Sequence, residues 1–163
     1  MAEDSTYPIY VRAGAILPIL DHENKHASIL NAMAQSNLRF QVYVDPLKGE
    51  AEGYVILDDG ATTDKRQVKV TAHYSRNVFS LSVDPVEGYS PNKVIDSVEI
   101  IGLQAVPMGI KFNGDVVDKY KANFRVDAAR NTVLVHRLNL KITEQAMEKV
   151  EIFSVNVPSH YIG

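Results

Sequence analysis

The sequence of this 163-residue chain predicts an all-β fold of antiparallel β-sandwich modules, with at most short helical turns. Short segments in which apolar and polar residues alternate recur along the chain, as in strands with one face on a core. Turn signals rich in Gly, Asn, Asp and Pro separate them about every eight to twelve residues. No helical pattern of about 10–15 residues lies between them, so a sandwich is favoured over a βαβ fold.

Composition excludes several classes of function. The hydrophobic fraction of 45% and the charged fraction of 23% are those of an ordinary globular protein. No apolar run approaches the ~20 residues of a membrane-spanning helix, and scattered basic residues with a net charge of −3 offer no surface for a phosphate backbone. We expect neither a membrane nor a nucleic-acid partner. Without cysteine there is no disulfide framework and no thiol nucleophile. Localisation stays open.

The first segments predict two short strands joined by a bend. Residues 8–12 are rich in β-formers, and residues 13–14 form the bend. Residues 15–20 form an apolar strand in which Pro18 indicates an edge or a bulge. Residues 21–36 are polar or small and predict a loop with at most a turn or two of helix.

The next segments predict a hairpin. Residues 38–44 alternate strictly, and Asp45-Pro46 ends this strand. Residues 54–57 are a short apolar run closed by Asp58-Asp59-Gly60, a strong turn signal because Gly adopts positive φ without steric cost. We therefore predict that residues 38–57 form an antiparallel hairpin with a long loop.

A polar segment at residues 61–66 is the best linker candidate, and a second series of strands follows it. Residues 68–74 and 79–83 predict two strands joined by a tight turn at residues 75–77. Residues 84–93 form a surface loop. The remaining predicted strands are 94–101, 108–112, 116–120, 124–127, 132–135, 138–142 and 150–155, with room for a helical turn at 143–148.

Catalytic chemistry is not evident in the sequence. Glycoside hydrolysis needs two carboxyl groups that face each other across a sugar, whereas the adjacent Asp58 and Asp59 point to opposite sides of an extended chain. None of the serines lies in a nucleophile-elbow motif. No pairing of Ser75, Ser80, Ser82 or Ser90 with His73 or His136 can be deduced from spacing alone. We predict no catalytic residue and no cofactor.

The sequence offers weak candidates for metal and sugar sites. Asp58, Asp59 and Asp64 could together bind a calcium ion, but their spacing lacks the register of a calcium-binding loop. His22 and His26 have helical spacing for a metal pair but lack a third ligand. We predict no metal site. The tyrosines lie mostly in strand patterns, and Tyr89, in the loop before Ser90-Pro91, is the best candidate for stacking on a sugar.

Several segments resemble glycoside hydrolase family 31, the family of the α-glucosidases. Residues 8–18 (PIYVRAGAILP) are similar to its P-hydrophobic-aromatic-V-R-G-G-x-I-hydrophobic-P segment, and residues 51–60 (AEGYVILDDG) to its A-x-G-x-hydrophobic-hydrophobic-x-D-D-G signature. Residues 94–107 are similar to its later I-x-x-I-x-I-x-G-L-x-x-x-P run. Asn113-Gly114 falls where the family often has a turn. The chain departs from the pattern at Ala13, usually Gly.

The resemblance implies two β-sandwich modules that follow a catalytic barrel. Residues 1–66 correspond to a partial proximal C-terminal sandwich, which would have an unpaired edge and an exposed apolar face. Residues 67–163 correspond to the distal C-terminal sandwich. The catalytic aspartates of the family belong to a (β/α)₈ barrel, which needs at least ~200 residues and has no counterpart here.

The resemblance thus implies a non-catalytic fragment that braces the barrel of an α-glucosidase, whose reaction is retaining hydrolysis of terminal α-glucosidic bonds. The chain alone is expected to be inactive. Arg12, Asp58 and Asp59 are the expected barrel-interface residues, because a strand-end Arg and turn carboxylates suit a polar domain interface; the alternative is that they are solvated. Self-association through the unpaired edge is also expected. The alternative function is a free-standing module that binds carbohydrate or acts as a protein scaffold.

Overall fold

The structure, a computed structural model, describes residues 9–21, 37–58, 65–76, 78–84, 94–102, 106–112, 115–116, 123–138, 140–141 and 149–155. These residues contain twelve strands and one short 3-10 turn at Ala128–Arg130. The strands are β1 Ala15–Asp21, β2 Asn37–Tyr43, β3 Glu50–Asp58, β4 Lys65–Ser75, β5 Val78–Val83, β6 Val94–Ile101, β7 Val106–Phe112, β8 Asp115–Val116, β9 Asn123–Asp127, β10 Thr132–His136, β11 Leu140–Lys141 and β12 Lys149–Val155. The predicted all-β class is confirmed.

Burial follows the alternation in the sequence. In β2 the side chains of Leu38, Phe40 and Val42 are buried, whereas the residues between them are only partly buried. β5 and β6 show the same two-residue period along most of their length. Because successive side chains of a strand point to opposite faces, each strand turns one apolar face to the core.

The strands form one hydrogen-bonded path in the order β8-β7-β12-β5-β4-β3-β1-β2-β6-β10-β9, with β11 also paired to β6. Most neighbours are antiparallel, but β1 pairs with β3 and β2 pairs with β6 in parallel. The path curls, and the buried apolar residues of both halves join in one cluster, which includes Phe40, Phe79, Leu81, Ile95 and Ile100. This arrangement is that of an incomplete β-sandwich.

The two halves of the path meet where β1 crosses β3. The two strands share a single register pair, Ala15 with Glu52, and the amide of Glu52 donates a hydrogen bond of 3.0 Å to the carbonyl of Gly14. Beside this pair the backbone of Gly53 lies against Ile16, so closely that an added Cβ would be 2.2 Å from the Ile16 carbonyl oxygen. Only glycine allows this approach.

The predicted hairpin of residues 38–57 is wrong. β1 lies between β2 and β3, pairing with β2 over seven residues from Ala15–Tyr43 to Asp21–Asn37. β3 instead pairs with β4 along its whole length. The turn after β2 exists, but it carries the chain across β1, because alternation determines which face of a strand is buried and not which strand lies beside it.

Other local predictions had mixed outcomes. The tight turn predicted at residues 75–77 is confirmed for Ser75 and Arg76, since β4 and β5 pair as a hairpin in which Arg76 has a φ of 49°; Asn77 lies outside the described residues. The strand predicted at residues 8–12 is wrong for residues 9–12, which form no strand, and Ile9 and Tyr10 are 88% and 89% exposed. Pro18 lies on the stretch of β1 that pairs only with β2.

The strands of the first predicted unit lie inside the sheet. β1, β2 and β3 each have a neighbour on both sides, and β8 and β9 are the ends of the path within the described residues. The unpaired edge expected in residues 1–66 is therefore not present in these three strands. The division of the chain at residue 66 stays a prediction, since paired strands can belong to one folding unit or to two.

Replacement of Gly53 tests the crossing of β1 and β3. We expect Gly53→Ala to lower the free energy of unfolding by about 1–3 kcal/mol, because the new methyl group would force the two backbones apart. Urea denaturation followed by circular dichroism measures the change. The control is Gln67→Ala on the exposed face of β4, which is expected to stay within about 0.5 kcal/mol. Equal stability of the Gly53 variant and the parent would contradict the tight crossing.

Candidate functional site

The residues predicted from the sequence as an interface are not brought together by the described structure. Arg12 is exposed and precedes β1. Asp58 ends β3, where its Cα is paired with that of Lys65. Asp59 lies outside the described residues, as do Asp64, His22, His26 and Tyr89. A barrel-facing role for Arg12, Asp58 and Asp59 therefore stays a prediction.

Arg12 is at the rim of an open cleft of 660 Å³ above the outer face of β3, β4 and β5, which is the face turned away from the core. Small residues at the start of β1 and on the neighbouring strands leave room for the cleft, and charged or hydroxyl-bearing side chains line its walls. The cleft is lined by Arg12, Ala13, Gly14, Ala15, Asp45, Lys48, Glu50, Ala51, Glu52, Thr71, Ala72, His73, Ser80 and Ser82.

The first of two polar rows crosses three strands of the cleft. Strand register pairs Glu50 with His73 and His73 with Ser80. Directly paired residues of antiparallel strands carry their side chains on the same face, about 5 Å apart. This row brings together an acid, a base and a hydroxyl that lie far apart in the sequence.

The second row runs parallel to the first. Register pairs Glu52 with Thr71 and Thr71 with Ser82. Each residue of this row is two positions along its strand from a residue of the first row, which corresponds to about 7 Å. The two rows together form a grid of six polar side chains.

The geometry of the first row is not that of a nucleophilic triad. The Ser80 hydroxyl donates to the backbone carbonyl of His73 at 3.4 Å and not to its imidazole. The Glu50 carboxylate is 3.9 Å from Nδ1 of His73, which is beyond hydrogen-bond length. A serine nucleophile needs a base that accepts its proton and an acid that orients that base. The row can bind a ligand, but it is not arranged to attack one.

Two carboxylates of the cleft already have partners. Asp45 accepts hydrogen bonds from the amides of Leu47 at 2.8 Å and Lys48 at 3.1 Å, and these bonds hold the pKa of Asp45 below its usual value. Glu52 lies 3.1 Å from Nζ of Lys69, and this contact raises the pKa of Lys69. Glu50 has the loosest contact of the three.

A separate polar cluster lies on the outer face of the parallel β2–β6 pair. The carboxylate of Glu99 accepts hydrogen bonds from Arg39 and, at 2.9 Å, from Nε2 of Gln41. Burial acts to raise the pKa of Glu99, but these two bonds and the charges of Arg39 and Arg130 outweigh burial and leave that pKa below its ordinary value. Within the described residues, Nε of Arg39 is buried without a hydrogen-bond partner. The cluster joins two strands that are distant in sequence.

An exposed apolar strip lies on the outer face where β1 meets β3. Leu17 is 37% exposed, Tyr54 49% and Ile56 70%. The Ala15–Glu52 pair and the two-residue period of each strand place all three side chains on the same face. We call Leu17, Tyr54 and Ile56 the outer strip. Exposed apolar side chains grouped in this way are typical of a surface that contacts another domain or protein.

The described residues lack two further features. No helix among them has the length and apolar character required to cross a membrane. Nor do they contain a group of three or more His, Cys, Asp or Glu side chains suited to hold a metal ion.

Comparison with known proteins gives structural neighbours only. No protein-family model and no curated protein matches the chain. The fold is similar to part of the glycoside hydrolase family 31 (GH31) dextranase of Flavobacterium johnsoniae, solved with isomaltotriose and with glucose, at a TM-score of 0.61 and 18% identity. It is also similar to part of the cycloalternan-forming enzyme from Listeria monocytogenes, solved with a pentasaccharide substrate, at a TM-score of 0.51 and 17% identity.

The matches cover most of this chain and little of the neighbours. They span 88% of this chain but 19% of the dextranase chain, and 87% of this chain but 13% of the cycloalternan-forming enzyme. At this level of identity the likeness concerns the fold. The fold is that of a minor part of these larger enzymes, in agreement with the resemblance seen in the sequence.

The Glu99 cluster predicts a dependence of stability on pH. Because the pKa of Glu99 is lower in the folded chain than the ordinary value of a glutamate, the ionised carboxylate stabilises the fold above that ordinary value. This contribution is lost as the pH falls through the folded-state pKa. We expect Glu99→Gln to cost about 1–3 kcal/mol at neutral pH and less in acid, as measured by urea denaturation at both pH values.

The matched control is Glu52→Gln, which alters an ion pair whose side chains are 40% and 62% exposed. Exposed pairs contribute at most about 1 kcal/mol, so this variant should be nearly as stable as the parent. A Glu99→Gln effect that is the same at neutral and acid pH would contradict the role of the ionised carboxylate.

Proposed function

We propose that this chain is a non-catalytic C-terminal β-sandwich region of a glycoside hydrolase family 31 enzyme, in which it packs against the catalytic barrel and braces it. The main support for this proposal is that the structural match covers 88% of this chain but only 19% of the dextranase chain. The sequence motifs at residues 8–18 and 51–60 support the same family.

The outer strip is the surface we assign to the barrel. Tyr54 and Ile56 expose apolar surface whose burial would contribute about 25 cal/mol per Å². Arg12, which lines the neighbouring polar cleft, is assigned to the polar border of this interface. Asp58 and Asp59, at the end of β3, belong to the same proposed interface. An apolar centre with a polar border is the usual form of a stable interface.

The reaction of the whole enzyme is part of the proposal. We assign to it the retaining hydrolysis of terminal α-glucosidic bonds, on the strength of the sequence motifs. The neighbours themselves are a dextranase and a cycloalternan-forming enzyme, so they support glycoside chemistry more broadly than α-glucosidase activity. The proposed units are residues 1–66 and 67–163. Away from the barrel, we also propose that the chain self-associates through an exposed sheet edge.

The isolated chain should not hydrolyse glycosides. We expect the purified protein to release no glucose from maltose above the rate in buffer. Glu50 and Glu52 are the carboxylates that β3 places on one face of the cleft. They are two positions apart on one strand, about 7 Å, whereas a retaining glycosidase holds its two carboxyl groups about 5–5.5 Å apart on either side of the bond it cleaves. A coupled glucose assay measures the release, and mass spectrometry of the native gene product should find a protein much larger than 18.1 kDa. Turnover by the chain alone, or a native product of this size, would contradict the proposal.

Ile56→Ser tests the proposed interface. In the isolated chain the side chain is 70% exposed, so the variant should change the free energy of unfolding by about 0.5 kcal/mol or less. In the larger enzyme, where the strip is covered, it should cost about 1–3 kcal/mol and lower the temperature at which activity is lost.

Val126→Ser on β9, at the far end of the strand path, is the matched control. It should have the same effect in the isolated chain and in the larger enzyme. If Ile56→Ser also had the same effect in both, the strip would not be the docking surface.

A further inference from the structure

We propose that the cleft above β3, β4 and β5 is a binding site for a neutral, polyhydroxylated ligand, of the class of a short saccharide. The site is formed by the two polar rows, Glu50–His73–Ser80 and Glu52–Thr71–Ser82. The inference does not depend on the bracing role, since it concerns side chains that the isolated chain presents by itself.

The size and lining of the cleft indicate a small polar ligand. Its 660 Å³ falls within the range of about 300–1,000 Å³ that is usual for ligand pockets. Most such pockets are lined by apolar and aromatic side chains. Here the apolar lining residues are alanines, and every larger side chain carries a charge, a hydroxyl or an imidazole. An apolar ligand would leave these polar groups without partners.

The mixed charges of the cleft favour a neutral ligand. Arg12 and Lys48 lie on the same walls as the carboxylates of Asp45, Glu50 and Glu52. A phosphate or another strong anion would meet the three carboxylates, and a polyamine would meet the two cations. Neither sign of charge therefore gains from the site as a whole.

The hydroxyl groups of a saccharide can form hydrogen bonds with both the carboxylates and the cations that line the cleft. A hydroxyl donates to a carboxylate such as that of Glu50 and accepts from a cation such as Arg12. Thr71 and Ser82 make no side-chain hydrogen bond within the described part of the chain. Among the described residues, the contact of the Glu50 carboxylate is with Nδ1 of His73 at 3.9 Å. These groups can turn to a ligand without breaking a strong internal contact.

The expected affinity is low. None of the described residues that line the cleft is Phe, Tyr or Trp, so these residues do not supply the ring stacking that strengthens many sugar sites. The cleft is also open, and each hydrogen bond to a ligand replaces one to water. We expect a dissociation constant on the order of 1 mM.

Nuclear magnetic resonance of the full ¹⁵N-labelled chain tests the site, with maltotriose as the probe up to about 50 mM. Amide shifts should change in residues 12–15, 48–52, 71–73 and 80–82. Glu50→Gln and Thr71→Ala should each weaken binding, the first by about tenfold because it removes a charged acceptor. Gln67→Ala, on the same face of β4 outside the cleft, should bind as the parent does.

Inorganic phosphate, spermidine and triglycine are the comparison probes. A larger response at the cleft to any of them than to maltotriose would overturn the inference, as would the absence of shifts with maltotriose or shifts unaffected by the two cleft variants. Circular dichroism checks that the variants are folded. The bracing role is tested by the stability of the larger enzyme, so either proposal can fail without the other.

Discussion

The structure depends on the contact in which β1 crosses β3. A single register pair, Ala15 with Glu52, joins the two halves of the strand path, and the backbone of Gly53 touches Ile16 beside it. Past this point β1 pairs with β2 alone and β3 with β4 alone. The path can therefore bend there, and its two apolar faces close on one core. A side chain at position 53 would keep the halves apart.

Closure of the core determines which side chains remain on the outer faces of the strands. Once one face of each strand is buried, the alternate residues must face solvent or a partner. On β2 and β6 they form the Arg39–Gln41–Glu99 cluster, which binds two parallel strands to each other. On β3 and its neighbours they form the outer strip and the polar cleft. The surfaces proposed for recognition thus lie on different strands of the sheet from the Arg39–Gln41–Glu99 cluster.

A role inside an enzyme does not require catalytic residues in these strands. A minor part of a glycosidase can hold the barrel and extend its surface without supplying a carboxylate to the reaction. The outer strip, which we propose contacts the barrel, and the two polar rows, which we propose bind a ligand, lie on adjacent parts of one face. Ligand sites often lie at the borders of domains, so the two roles can coexist.

The sequence by itself determined most of the strands and which of their faces is buried. Val94–Ile101 was predicted with the bounds it has in the structure, because alternation is a local property. The family resemblance likewise came from local motifs. Only the tertiary structure decided that β1 separates β2 from β3, and that Glu50, His73 and Ser80 share a row. Pairing joins residues distant along the chain, and a two-residue period specifies the face of a strand without specifying its neighbour.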